Sequence, residues 1–317
     1  MNQKRNDIIQ MLKPGKIISG QEIARTIGIS RTAVWKHIKL LQKNGYIIES
    51  TRQKGYRLQG LPEIPIEEIE SHLHTSCIGS RLMFFPSLTS TNEYVNKMVK
   101  QQYPEGTVVI AETQTFGRGR KQRTWCSPKG GLWFSLLLHP KLPPQKAMIV
   151  TMATSIALAE AIKETTGLEV RIKWPNDLLI NGKKVCGILT ELSAEMDQID
   201  YMIIGIGMNV NNKLPDSLLH TAISLEQLTS QPISLMNLLI ASLSLLDEWY
   251  MQVRKNNERL IRDTWLSLSD MIGKQIEVKQ ETSLMKGVVI GITENGGLLI
   301  ETQEGTKQIV SGDISYI

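Results

Sequence analysis

Cysteine is scarce: Cys77, Cys126 and Cys186 stand alone in 317 residues, with no CxxC spacing among them. That argues against a disulfide framework and against a cysteine-based zinc site. Long apolar runs are missing too; none approaches the roughly 18 residues that a membrane span needs. The opening residues Met1 to Ile9 are polar and lack the apolar core of a secretory signal. A cytoplasmic protein with no membrane partner is expected. No strand-linked GxGxxG and no GxxxxGK[ST] occurs, so neither a Rossmann fingerprint nor a P-loop is supported. No Ser/His/Asp or Cys/His signature points to a protein nucleophile. Of five histidines only His72 and His74 are close neighbours, and a polar loop explains them better than a metal.

What is present fits a soluble globular chain of two or three domains, 41% hydrophobic and 21% charged. Its formal charge of +5 is unevenly spread. Residues 1–60 hold twelve Lys and Arg against Asp7, Glu22 and Glu49, a net of +9, while the rest of the chain nets −4. A polyanionic partner for that segment is the natural expectation.

The pattern within the segment sharpens this. An amphipathic run from Asp7 to Leu12 stops at Pro14-Gly15. Ser19-Gly-Gln-Glu22 reads as a capping box opening a helix over Gly20 to Thr26, with Ile23, Ala24 and Ile27 on one side. Gly28 breaks it and Ser30 caps the next helix, whose buried stripe is Val34, Ile38 and Leu41. Arg31, Thr32, Trp35, Lys36 and Lys39 then face outward. Two short helices, a Gly turn and a basic exposed second helix make a helix-turn-helix. Residues 46–50 and 55–58 read as two strands of a wing. Arg52, Lys54 and Arg57 on it suit phosphate contacts, and Arg31, Thr32, Trp35 and Lys36 suit base edges of an operator DNA. A protein-docking module is the other use of such a fold. Leu61-Pro-Glu-Ile-Pro65 suits a linker, placed at 61–66.

Beyond it, strand-like runs at 108–111, 132–138, 170–172, 185–191 and 202–205 alternate with helical stretches, including a long helix from Ala147 to Thr166 stopped by Gly167. A mixed α/β domain is expected over 67–270. Short strands at 272–278, 287–292, 297–300 and 307–310 suggest a small SH3-like β-barrel over 271–317. The whole chain is therefore an α+β multidomain protein: winged helix, central mixed domain, C-terminal barrel.

Three stretches of the central domain carry chemistry. Gln114-Thr-Phe-Gly117-Arg118-Gly119-Arg120-Lys121-Gln122-Arg123-Thr-Trp125 puts four cations within six residues beside two glycines, a composition that wraps phosphates and carboxylates. Lys173-Trp-Pro-Asn176-Asp177 sets a lysine, an amide and a carboxylate at a strand end, a set suited to a nucleotide phosphate and its Mg²⁺, with Asp177 as the metal candidate. Lys184, near Gly187, adds a cation, and Gly205-Ile-Gly207-Met-Asn209 ends a strand with an amide suited to a purine edge.

Together with Ser90-Thr91-Asn92 and Gly182-Lys-Lys184-Val-Cys-Gly187-Ile-Leu, these motifs resemble, in order and over nearly the whole chain, the biotin–protein ligases that carry a DNA-binding domain. The resemblance implies that Ser90, Thr91, Asn92 and Gln114 receive the biotin ring. It implies that Gly117, Arg118, Arg120, Lys184 and Gly187 meet the biotinyl carboxylate and α-phosphate, with Arg118, Arg120 and Lys184 catalytic. Trp125, Lys173, Asn176, Asp177 and Asn209 fall on the nucleotide side. In the family's usual GRGRxGR loop a third glycine stands where this chain has Gln122, which bears on the local backbone. The implied activity is ATP- and Mg²⁺-dependent formation of biotinyl-5′-AMP and transfer of biotin to a lysine of a biotin carboxyl carrier protein. The adenylate then acts as corepressor of a homodimer on operator DNA. Alternatives are a lipoate or octanoyl ligase, a biotin-sensing regulator without catalysis, and a ligase whose winged helix no longer binds DNA.

Overall fold

The structure, a computed structural model, describes residues 2–51, 54–280 and 284–317; Arg52 lies outside the described residues. The chain opens with α1 (Asn2–Leu12), α2 (Gly20–Ile27) and α3 (Arg31–Lys43), followed by the antiparallel pair β1 (Ile47–Thr51) and β2 (Gly55–Gly60). α1 starts earlier than its apolar pattern indicates, because i,i+4 bonds such as Gln3 to Asp7 at 3.1 Å support a polar first turn. Ser19 Oγ and Ser30 Oγ each accept a backbone N–H three residues on, at 3.1 Å, which fixes the starts of α2 and α3. Gly28, at φ +69°, ends α2 in the left-handed region. Ile8, Ile9, Leu12, Ile23, Val34, Ile38 and Leu41 close a core of their own beneath the wing.

Residues 61–65 run directly into α4 (Ile66–His72), and Ile64 and Ile66 are buried in the core of the larger body. His72, expected in a loop, is the last residue of this helix, with Nδ1 2.8 Å from Glu68 O. Two carboxylates of α4 bind back to the winged helix. Lys13 pairs with Glu68 at 2.6 Å, Arg5 with Glu67 at 3.5 Å, and Asn44 donates to Glu67 at 3.1 Å. Both glutamates are buried, so leaving either without its partner is costly.

The central body follows as β3 (Arg81–Phe85), α5 (Thr91–Val99), β4 (Thr107–Ala111), β5 (Leu132–Leu138), α6 (Ala147–Thr166), β6 (Arg171–Lys173), β7 (Asp177–Ile180), β8 (Lys183–Glu195) and β9 (Gln198–Met208). Their sheet has the order β3-β4-β5-β9-β8-β7-β6, parallel only at β3–β4. β4 and β5 are buried on both faces, which is why they read as largely apolar runs, with Ser135 the polar exception inside β5. No element was expected between 212 and 271; α7 (Glu226–Thr229), α8 (Leu235–Arg254) and α9 (Glu258–Leu268) lie there. α6 is apolar nearly all round because it packs between the sheet and α8 and α9. α5 covers the other face, Val95 and Met98 resting on Val109, Leu137 and Ile203.

The C-terminal strands are β10 (Gln275–Lys279), β11 (Leu284–Ile292), β12 (Leu298–Thr302), β13 (Gly305–Ile309) and β14 (Asp313–Tyr316), one more than expected. They form an antiparallel five-stranded sheet in the order β13-β12-β11-β10-β14. Ile276, Val278, Leu298 and Ile314 join the core of the central body, so this unit is packed onto it.

Candidate functional site

A cavity of about 620 Å³ opens on the α5 face of the large sheet, where β8 and β9 carry glycine instead of side chains. One end is polar and tightly wired. Gln114 Oε1 accepts from Thr91 N at 2.8 Å and from Thr91 Oγ1 at 3.2 Å, and Gln114 Nε2 donates to Ser127 Oγ at 2.8 Å. Ser135 Oγ stands 2.6 Å from both Thr91 Oγ1 and Asn92 Oδ1. Asn92 Nδ2 donates to Glu191 at 2.8 Å. Ser90, the cap of α5, accepts from Glu93 N at 3.5 Å. Gly205 is required here: a Cβ on it would come within 2.0 Å of Asn92 Oδ1.

The middle is cationic. The loop folds back on itself through Trp125 N to Gly117 O at 2.8 Å and Gly119 N to Arg123 O at 2.7 Å. Lys121 and Gln122 at its tip both take positive φ, +52° and +59°. Gln122 therefore occupies a left-handed backbone that a glycine fits without strain, at the position where the family loop has one. Arg118 pairs with Glu191 at 3.1 Å. Arg120 donates to Asn176 Oδ1 and to Gly312 O, each at 3.2 Å. Lys121, at 3.4 Å, and Arg123 both bind Asp313 of β14. Burial opposes ionisation of Asp313, but these two cations outweigh it and hold the carboxyl below the usual carboxylate range.

The far end holds Lys184, whose Nζ is 2.6 Å from Asp177 Oδ1 and 5.1 Å from the centroid of the Trp125 ring. Burial lowers the pKa of Lys173, against the pull of Asp177, and its Nζ lies 4.9 Å from the Tyr316 ring. Asn176 Nδ2 donates to Ile188 O at 2.6 Å, and Asn209 Oδ1 accepts from Asn212 at 3.2 Å. The Trp125 indole lies against Gly187 and Gly207; a Cβ on Gly207 would meet its Nε1 at 2.4 Å. That buried Nε1 has no hydrogen-bond partner among the described residues.

All the expected biotin- and nucleotide-side residues line this one cavity except Gly117, which sits just behind it against Trp125 O and Ser127 Oγ. Ser127 and Ser135 join this wiring although, in sequence, they look like ordinary loop and strand serines. Glu191, as a partner of the loop, and the wall formed by Gly312 to Ser315 are brought in only by tertiary packing. Leu214, Leu218, Thr221 and Ala222, which no motif marks, form a rim where Lys184 N donates to Thr221 O at 2.8 Å. No group of three or more His, Cys, Asp or Glu suited to a metal occurs among the described residues.

On the winged helix, Arg31, Thr32, Trp35, Lys36 and Lys39 all point outward from α3, Trp35 with 52% of its surface exposed, and Lys54 and Arg57 are exposed on the wing. An exposed indole among cations on a second helix is what a surface reading nucleic acid presents.

Comparison with known proteins agrees with this arrangement. Residues 84–209 match the Biotin/lipoate A/B protein ligase family, 4–57 an HTH domain, and 271–316 the Biotin protein ligase C terminal domain. The Bifunctional ligase/repressor BirA of Bacillus subtilis (strain 168) is 40% identical over 98% of this chain and 98% of its own. This chain belongs to the bifunctional ligase/repressor family. The family's protein from Escherichia coli (strain K12) is 29% identical over 97% of this chain and 95% of its own. Among solved structures, the biotin protein ligase from Aquifex aeolicus in complex with biotin and ATP superposes with a TM-score of 0.66 at 31% identity, covering 75% of this chain and 99% of that one. In this member, α4 ties the HTH module to the ligase body, and Asp313 ties the C-terminal unit to the cationic loop.

Proposed function

We propose that the chain is an ATP-dependent biotin–protein ligase that forms biotinyl-5′-AMP, transfers biotin to a carrier-protein lysine, and represses biotin genes through its winged helix. The observation that carries this is the cavity itself, which brings together a hydrogen-bonded polar end, the cations Arg118, Arg120, Lys173 and Lys184, and the amides Asn176 and Asn209. Ser90, Thr91, Asn92 and Gln114 suit the ureido ring, which both donates and accepts. Arg118, Arg120, Lys184 and Lys173 suit the junction where the biotin carboxylate attacks the α-phosphate and pyrophosphate leaves. Bringing two anions together is the obstacle, and preplaced cations in a partly closed cavity offset it. Trp125, Asn176 and Asn209 suit the nucleoside.

Magnesium prefers one or two carboxylates together with phosphate oxygens. Asp177 alone fits that pattern as a ligand to a nucleotide-bound ion, and no residues near it make a closed cage. When bound, Mg²⁺ would supply charge neutralisation on the phosphates. Asp177 would meanwhile keep Lys184 oriented, through their 2.6 Å ion pair. In the second half-reaction the acceptor amine attacks the mixed anhydride and AMP departs, and the loop's fold over the adenylate keeps water out.

The repressor half rests on the exposed face of α3 and on the wing. Adenylate binding would favour a homodimer that sets two such helices on a two-fold operator. ATP–pyrophosphate exchange tests the ligase reading, run with biotin and with lipoate in parallel. Exchange driven by biotin alone is expected. Exchange driven by lipoate, or by neither acid in folded protein, would favour the lipoate ligase or the non-catalytic sensor.

A further inference from the structure

Arg118 and Arg120 of the loop are held by different partners in the cavity. Arg120 is held at the far wall by Asn176 Oδ1 and the Gly312 carbonyl. Arg118 is held at the polar end by Glu191, a β8 residue opposite Ile203 of β9. The backbone bonds of the loop do not direct the Arg118 side chain, which is 47% exposed; the carboxylate of Glu191 does. The same carboxylate uses its other oxygen on Asn92 Nδ2. From Asn92 the wiring continues through Ser135, Thr91, Gln114 and Ser127 to the carbonyl of Trp125, 3.2 Å from Ser127 Oγ. Glu191 thus joins the start of the loop to the hydrogen-bonded polar end of the cavity.

We propose that Glu191 is a positioning residue that holds the Arg118 guanidinium where biotin's carboxylate arrives. This rests on the reading of the polar end as the biotin pocket. A guanidinium has five N–H donors, and Glu191 takes one edge through Nη2 at 3.1 Å, so others remain for the substrate. The pair therefore orients Arg118 without using it up. An untethered arginine on a half-exposed loop loses rotamer freedom when it engages substrate, and a tethered one has already lost it.

The test compares binding of biotin with binding of biotin amide, which keeps the ring and tail but has no charge. Glu191→Gln is expected to weaken biotin by about tenfold and to leave the amide within about twofold, because only the charged ligand uses Arg118. Glu191→Asp, which keeps the charge one methylene short, should lose less. In an Arg118→Gln background, Glu191→Gln should add nothing further. Equal weakening of biotin and its amide would mean that Glu191 acts through Asn92 on the ring pocket, and would overturn the proposal. So would unchanged or tighter biotin binding in Glu191→Gln, or additivity in the double variant. Failure of the wild-type protein to bind biotin at all would instead remove the ligand reading on which the proposal rests.

Discussion

Lys184 Nζ stands 2.6 Å from Asp177 Oδ1, and each side chain is less than a third exposed. The two sit on neighbouring strands, and the ion pair fixes both side chains in the lining of the cavity. Lys184→Ala is expected to lower biotin-dependent pyrophosphate exchange by about 10²–10³, the scale for losing one preplaced group at a developing charge. Exchange within about threefold of wild type would take Lys184 out of the reaction.

Arg120 links the loop to both Asn176 and Gly312, so Arg120→Gly removes two anchors at once. Faster escape of biotinyl-AMP into solution is expected, by about tenfold or more. It would be followed as adenylate in the filtrate during single-turnover reactions. An unchanged escape rate would mean that other contacts hold the loop shut.

Asp313→Ala should loosen the loop from the other side by freeing Lys121 and Arg123. Because the Asp313 carboxyl is held below its ordinary range, the wild-type tie is present at neutral pH and persists below the unfolded value of about 3.9. It is lost only as pH falls through the lower folded value. Between about pH 5 and 8 the difference in adenylate escape between wild type and Asp313→Ala should therefore stay flat. A difference that vanished near pH 6 would contradict this assignment.

Gln122→Gly should relax the loop tip, where Gln122 holds φ at +59°. The relief, set against glycine's greater chain entropy, is worth at most ~1 kcal/mol. A rise in melting temperature of about 1–2 °C is expected, with exchange activity retained. A lower melting temperature would mean that the glutamine makes contacts that outweigh the strain.

Deleting residues 1–60 should abolish operator binding and spare ligation, since every cavity-lining residue lies downstream. The cut also removes Arg5 and Lys13, the partners of Glu67 and Glu68, and opens those carboxylates to water. In the intact chain, Arg57→Ala should weaken DNA binding on any sequence and reduce the slope of affinity against salt by about one counterion. Loss of ligation in the truncated chain would show that the winged helix shapes the cavity.

Much of this architecture was legible in local sequence. Ser19, Gly28 and Ser30 announce the helix-turn-helix, because capping is a property of three or four consecutive residues. α6 was placed residue for residue, since Gly167 marks its end. The cationic loop and the Lys173 to Asp177 stretch were legible because chemistry there is concentrated in short segments. α8 opens on Ser234, whose Oγ accepts from Asn237 N at 3.2 Å, but no glycine marks its end and a lone serine among apolar residues is a weak signal. The partnership of Glu191 with Arg118, and the wall from Gly312 to Ser315, depend on strand register and on packing of the C-terminal sheet, which no short segment records. The wing tip at Arg52 was named but lies outside the described residues.

Arg123 finds its partner Asp313 some 190 residues further along the chain. Translation therefore completes the two halves at very different times. The winged helix has its whole core between Ile8 and Leu58 and can fold while most of the chain is still unmade. The reaction chamber waits for β14. A message broken after the wing but before Gly312 would yield a product that still carries its reading helix yet cannot retain the small molecule that should govern it.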